Sequence, residues 1–172
     1  MIFATVGTQL PFDRLLLCLD NWAALNPGVP VFAQCGEGSV PLRNIETVAK
    51  LSQSDFRARL MSAKLMVSHA GMGSILMAAD LGKTVILMPR RTMFGEHRTD
   101  HQMDTADEMA RLSNVTVVED CTALHAALDT ALAQGFESPA GRVEAGGEAL
   151  IQLIEEVRNF VWNPRSLKGT ST

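Results

Sequence analysis

Short apolar runs alternate along the chain with longer stretches of helical period. "MIFATV" is closed by Gly7 and has the unbroken apolar character of a strand buried on both faces. After "TQLP", the residues Phe12, Leu15, Leu16, Leu19 and Trp22 recur at helical spacing until "NPG" breaks the period. "VPVFAQ" reads as a second strand, closed by "CGEG", and "NIETVAKL" as a weaker third. "SDFRARLMSA" returns to the helical period, with Ser54 as its expected cap. Strand "KLMVS", helix "MGSILMAADLG" and strand "TVILMP" follow, then a polar loop from Arg90 to Asp100. Helix "HQMDTADEMARL", strand "VTVV" and helix "TALHAALDTALA" continue the alternation. The pattern predicts an α/β fold, a Rossmann-like and mostly parallel sheet with helices on both faces.

Beyond the Gly-rich stretch "GFESPAGRVEAGGEA" lies one more amphipathic helix, "EALIQLIEEVRNFVW". Leu150, Ile154, Val157 and Val161 make its apolar stripe, widened by Ile151, Leu153 and Phe160, with Gln152, Glu155, Glu156 and Asn159 opposite. That face either packs onto its own sheet or docks a partner chain. The expected organisation is a single domain over residues 1–163 with a flexible tail over 164–172.

Composition narrows the function classes. A formal net charge of −4, no dense Lys/Arg run and no Tyr argue against a nucleic-acid partner. Cys18, Cys35 and Cys121 are odd in number, far apart and form no CxxC, so free thiols in a reducing cytosol are expected. The apolar N-terminus lacks a basic flank and a cleavage site and reads as the first strand. No apolar run is long enough to cross a bilayer, although docking on a membrane-bound partner is compatible with the sequence.

The residues able to do chemistry collect at strand ends. In open α/β sheets, ligands bind beyond the carboxyl ends of the strands, where strand order reverses. The first strand ends in Gly7-Thr8, the second in Gln34 with Gly36 beyond it, and "KLMVS" in His69 with Gly71, Gly73 and Ser74. "TVILM" runs into Arg90 and Arg91, and His97, His101 and Gln102 close the loop and open the next helix. Glycines let backbone approach an anion, and the first N–H groups of a helix point at it with a favourable dipole. "HAGMGS" by itself fits a phosphate cradle or a tight turn that only packs a helix. It is neither a Walker loop, a GxGxxG fingerprint nor a GxSxG elbow. His97 and His101 are four apart with Asp100 and Asp104 nearby, but no HExxH or second cluster completes a metal shell. No metal and no resident cofactor are expected. His125, in an Ala/Leu-rich helix, reads as a surface or packed histidine.

"FATVGT", "FAQCGEG", "VSHAGMGSILMAADLGKTVILMPR" and "GEHRTDHQMDTA", in this order, resemble the C-terminal nucleotide-sugar-binding domain of glycosyltransferase family 28. The resemblance is strongest to stand-alone, donor-binding subunits of two-component glycosyltransferases, and "PRR…GEHR.DHQ" points to the PssE-like bacterial exopolysaccharide branch. It implies the C-terminal-type half of a GT-B enzyme, active with a partner subunit, that binds a UDP-sugar as co-substrate. A membrane-associated partner would bring a lipid-linked saccharide acceptor and the catalytic base. The chain would then be cytoplasmic and recruited to the inner face of the plasma membrane. A homo-oligomer stays open.

Carried over by motif, Gly7 and Thr8 lie near the diphosphate, and Gln34 and Gly36 near the nucleotide. His69, Gly71, Gly73 and Ser74 form the phosphate turn, and His101 and Gln102 contact sugar hydroxyls. Arg90 or Arg91 stabilises the leaving diphosphate, and a second arginine holding a sugar carboxylate makes UDP-glucuronate the leading donor. Relatives carry Glu where this chain has Met77, a side chain that cannot accept a ribose hydrogen bond. Two other readings are a non-catalytic nucleotide-sugar-binding or regulatory module and, less well matched by the chain length, a sugar-nucleotide epimerase or hydrolase.

Overall fold

The computed structural model describes residues 1–136 apart from Ser39 and Ser113. The last amphipathic stretch and the tail of the sequence lie outside the described residues. Six strands, β1 (Ile2–Thr5), β2 (Val31–Gln34), β3 (Glu46–Val48), β4 (Leu65–Ser68), β5 (Thr84–Leu87) and β6 (Val115–Val117), form one sheet. Every pairing is parallel and the order is β3-β2-β1-β4-β5-β6. Five helices cover it: α1 (Asp13–Leu25), α2 (Gln53–Ser62), α3 (Met72–Asp80), α4 (His101–Met109) and α5 (Cys121–Ala133). This is the Rossmann-like α/β architecture that the alternation predicts.

The central strands read as continuous apolar runs because both of their faces are buried. Ile2, Ala4, Leu65, Val67 and Ile86 point into one core with α1 and α5. Phe3, Met66, Val85 and Leu87 point into the other with α2, α3 and α4. There Phe3 stacks on Phe32 at 6.2 Å and meets Phe56 of α2 edge-on at 4.9 Å. Register pairs Thr5 with both Gln34 and Ser68, and Ser68 with Leu87. The carboxyl ends of β1, β2, β4 and β5 therefore finish in one row, which gathers the loops that follow them.

Two expectations need correction. Cys18 and Cys121 form a disulfide between α1 and α5, with Cα atoms 5.2 Å apart and 103 residues between them in sequence. Sequence spacing carries no information about such a contact, because it is made only when α5 returns to pack on α1; Cys35 is the free cysteine. The N-cap of α2 is Ser52 rather than Ser54: Ser52 Oγ accepts from the Asp55 N–H at 3.1 Å. The Ser52 hydroxyl in turn donates to the Asp55 carboxylate at 2.6 Å, so both bonds of this first turn run through the earlier serine.

Side-chain pins fix the connections. Trp22 Nε1 donates to Asp129 at 2.8 Å, joining α1 to α5, and His125 packs with Nε2 2.8 Å from the Cys18 carbonyl. Buried Asp20 accepts from the Arg43 and Asn44 N–H groups at 2.9 and 2.7 Å and from the Asn44 side chain at 2.9 Å. Burial pushes the Asp20 carboxyl up, but the hydrogen bonds from Asn44 and Arg43 outweigh it and hold the group below its ordinary range.

Candidate functional site

Strand order reverses between β1, whose successor β2 lies on one side, and β4 on the other. A cavity of about 590 Å³ opens at the carboxyl ends of these strands. Gly7 and Thr8 after β1, Gln34 ending β2 and His69 after β4 line it. Gly71, Gly73 and Ser74 at the start of α3 also line it, as do Arg90, His97 and Gln102 from the β5–α4 side. The topology thus brings most of the candidates chosen from the sequence into one wall-to-wall site.

The turn into α3 is built around one imidazole. His69 is 9% exposed, and a Cβ on Gly71 would lie 2.1 Å from its Nε2. A Cβ on Gly7, whose φ is +76°, would lie 2.8 Å from its Cε1. The ring fills the space that both glycines leave, so these glycines are steric requirements of the turn. Burial, the neighbouring Arg90 charge and, more weakly, His97 lower the His69 pKa to about 4, against a smaller opposing effect of its hydrogen bond to Thr5. At neutral pH the ring is therefore uncharged.

Gly73 differs: a Cβ there meets nothing within 4 Å and would project into open space. Gly71 caps α3, whose nine residues begin at Met72. The N–H groups of the first helical turn have no partner within the helix, and they face the cavity with Gly73 and Ser74 among its lining.

A pair of arginines locks the two loops on either side. Arg90 is 3% exposed; its guanidinium donates to the Val6 and Leu10 carbonyls at 2.7 and 2.5 Å, which ties the β1–α1 loop to β5. Burial pulls it down to about 10 while Glu96 opposes the shift, so it stays protonated at neutral pH. Its buried Nε has no hydrogen-bond partner among the described residues. Arg14 of α1 works in the opposite direction. It grips Glu96 through both carboxylate oxygens at 2.7 and 2.9 Å, and donates to the Glu119 and Pro89 carbonyls at 2.7 and 3.0 Å. Glu96 accepts in turn from the Arg91 N–H at 3.0 Å. Both guanidinium groups pack on the Phe12 ring, at 5.2 Å from Arg14 and 5.0 Å from Arg90. Each loop that borders the cavity is thus held by an arginine from the other's side.

Three sequence candidates do not line the cavity. Gly36, at φ +64°, shapes the turn after β2 and bonds through its N–H to the Ala49 carbonyl. The Arg91 guanidinium reaches Glu119 at 2.5 Å on the outer side of the loop. His101 is exposed and lies 3.6 Å from Asp104. Its neighbour Gln102 is buried instead, with its side-chain oxygen accepting from the Arg90 N–H at 3.1 Å. His97 turns back on its own loop, Nδ1 2.9 Å from the Thr99 carbonyl, and no group of three metal-ligating side chains occurs among the described residues.

Sequence reasoning missed the far wall, made by Leu51, Ser52, Gln53 and Phe56 around the start of α2 together with Met72 of α3; Met77, noted where relatives carry Glu, lines the cavity beside them. The available signal was the rule that strand ends carry sites, but β3 is three residues long and the least strand-like of the set. Among the described residues that line the cavity there is no Asp or Glu. One buried arginine, a helix N-terminus and hydroxyl donors without a competing carboxylate give it a lining chemically suited to an anion.

A family model, Glycosyltransferase family 28 C-terminal domain, matches residues 1–145. No curated protein matches the sequence. Among solved structures, ALG13 superposes with a TM-score of 0.61 at 20% identity, covering 88% of this chain and 93% of that one. The glycotransferase of kitacinnamycin gives 0.61 at 22% identity over 91% of this chain and 39% of its own. Acinetobacter baumannii MurG gives 0.56 at 18% over 91% and 49%. This chain therefore spans two fifths to one half of those two larger proteins and nearly all of ALG13. The fold is that of the C-terminal half of GT-B glycosyltransferases, and the chain belongs to the glycosyltransferase family 28 C-terminal domain family.

Proposed function

We propose that this chain is the donor-binding half of a two-chain GT-B glycosyltransferase, of the PssE-like type, that moves a sugar from a nucleotide to a lipid-linked acceptor in bacterial polysaccharide synthesis. The observation that carries the reading is the cavity at the reversal of strand order, anion-selective in its lining and matched in size to a nucleoside diphosphate sugar. Coverage of nearly the whole of ALG13 supports a stand-alone half as a natural unit.

In the proposed reaction an acceptor hydroxyl attacks the anomeric carbon, the bond from that carbon to the diphosphate breaks, and the nucleoside diphosphate leaves with the electron pair. This chain stabilises the charge that grows on the diphosphate. The N–H groups opening α3 and Ser74 donate to it, and Arg90 supplies a buried cation already fixed in place by Val6 and Leu10. Among the described residues the cavity offers no carboxylate, His69 is enclosed, and His97, the other imidazole of the lining, turns its Nδ1 back on the Thr99 carbonyl. We assign the base to the partner, a membrane-associated subunit that also brings the acceptor.

UDP-glucuronate is the donor we place first. With Arg91 turned to Glu119, Arg90 is the one arginine of the described lining and would have to serve both the diphosphate and the sugar carboxylate. Competition of UDP-glucuronate against UDP-glucose for the wild type and Arg90→Ala tests this, and equal affinities in both proteins would contradict it. The test of the wider reading is transfer to a lipid acceptor by the purified chain, alone and with the product of a neighbouring gene that encodes a membrane-anchored Rossmann-like chain. Transfer only by the pair is expected. Transfer by the isolated chain would overturn the split arrangement, and nucleotide binding without transfer by the pair would favour a regulatory module.

A further inference from the structure

The Cys18–Cys121 bridge lies outside the donor cavity and is built asymmetrically. Cys18, in the middle of α1, is buried, whereas Cys121, the first residue of α5, is exposed. A second cavity, of about 530 Å³, meets the bridge at Cys121 and is lined there by Leu17 and Phe94, with Arg14 and Glu96 also in its lining. A sulfur nucleophile therefore reaches the bridge from the Cys121 side. On the donor-site reading the chain works among thiols that keep cysteines reduced, and a bridge in that setting is exchangeable rather than permanent.

The bridge is also tied to the donor cavity. Arg14 stands one turn before Cys18 on the same face of α1, and it donates at 2.7 Å to the carbonyl of Glu119, just ahead of Cys121. Bridge and guanidinium are thus adjacent ties between α1 and the β6–α5 corner. The same guanidinium holds Glu96 at 2.7 and 2.9 Å, and Glu96 accepts from the Arg91 N–H at 3.0 Å. Arg90 and His97, on either side of that clasp, line the donor cavity. A shift of α1 against the α5 corner is therefore passed to the loop that carries them. At the other end of the seam, Trp22 bonded to Asp129 and His125 against the Cys18 carbonyl keep the helices together without the sulfur bond.

Resting on the donor-site reading, we propose that the Cys18–Cys121 pair is a redox switch on nucleotide binding, operated by a dithiol reductant. The oxidised chain holds the donor cavity in shape, and the reduced chain binds the nucleoside diphosphate more weakly. A thiolate of the dithiol attacks Cys121 Sγ; the disulfide bond breaks and its electron pair leaves on Cys18 Sγ, which takes a proton and stays in the core as a thiol. The second sulfur of the reductant, as a thiolate, then attacks the first and displaces Cys121 as a thiolate, which the N–H groups opening α5 stabilise. The dithiol ends as a disulfide, and two electrons have passed to the cysteine pair.

Isothermal titration of the full chain with UDP, oxidised and after reduction with dithiothreitol, tests this in a Cys35→Ser background. Reduction is expected to weaken binding by about fivefold or more, the size of a modest coupling between sites, and reoxidation to restore it. Cys121→Ser, which cannot form the bridge, is expected to bind like the reduced chain and to ignore dithiothreitol. Brief iodoacetamide treatment of the reduced native chain should label Cys121 ahead of Cys18, and the reverse order contradicts attack at Cys121. Equal dissociation constants in the two redox states overturn the switch and leave the donor-site reading standing. Loss of binding that coincides with loss of the helical circular-dichroism signal also overturns it, because the switch needs a folded reduced state. Failure of UDP to bind in either state overturns both.

Discussion

His69 makes the stability of the protein depend on pH in a way that can be worked out in advance. The folded protein lowers its pKa from 6.5 to about 4, and the unfolded chain restores the ordinary value. Below pH 6.5 the unfolded state takes up a proton that the folded state refuses, so the unfolded state gains stability. The contribution of His69 is therefore fully present above pH 6.5 and is lost as pH falls towards 4. Linkage between those two pKa values gives a loss of about 2 kcal/mol from pH 7 to pH 5, approaching about 3 kcal/mol at pH 4. Asp20, whose carboxyl is held below its ordinary range, adds to the loss only below the unfolded carboxylate range, so the window between pH 7 and 5 belongs to His69. Urea unfolding of the wild type at half-unit steps reads the slope, and His69→Asn, which cannot titrate, flattens it. Imidazole NMR shifts of the wild type provide a measurement independent of any variant. A His69 ring that titrates near 6.5, or a wild type whose stability is level from pH 7 to 5, would refute the account of a neutral ring wedged between Gly7 and Gly71.

Two glycines of one turn should behave oppositely. Gly71→Ala drives a methyl into the His69 ring and is expected to cost about 1–3 kcal/mol by thermal or urea unfolding. Gly73→Ala, in open space, keeps or slightly raises stability but weakens nucleotide binding by about tenfold or more, which calorimetry measures. Arg14→Ala leaves the Glu96 carboxylate with only the Arg91 N–H and takes a donor from the Glu119 and Pro89 carbonyls, and is expected to cost about 2–3 kcal/mol, with Arg14→Lys unable to restore the bidentate grip. Thiol titration of the unreduced, denatured chain should find one reactive cysteine, Cys35, and three would contradict the Cys18–Cys121 bridge. Reduction of that bridge, which closes a loop of roughly 100 residues, should lower stability by up to about 5 kcal/mol in the chain-entropy description.

The sheet was legible because its strands are buried on both faces. Runs such as "IFAT" and "LMVS" admit few other readings once helical stretches separate them, and even the short β3 and β6 left an apolar trace. Strand ends were legible for the same reason: Gly7, His69 and Arg90 are polar or special residues placed directly after apolar runs. The partners that those residues choose were not legible. Arg90 and Arg91 are neighbours in sequence, yet one turns in to Val6 and Leu10 and the other out to Glu119, because successive side chains on extended backbone point to opposite sides. His101 and Gln102 divide for a different reason, as successive residues of α4 set about 100° apart around the helix. The Arg14–Glu96 pair joins residues 82 apart and carries no local signature at all. The α2 wall escaped notice because Leu51 and Phe56 look like ordinary core residues, and only the fold turns their edges towards the cavity.

The central claim is that the cavity opened by α3 at the crossover of β1 and β4 holds a nucleoside diphosphate. Amide chemical-shift mapping of the full chain during titration with UDP tests it residue by residue. The account predicts the largest shifts at Gly7, Thr8, Met72, Gly73 and Ser74, with smaller ones at Phe56 and Met77 and none on the α1–α5 face. Saturating UDP that leaves these amides unmoved, or that moves only amides elsewhere, would contradict it.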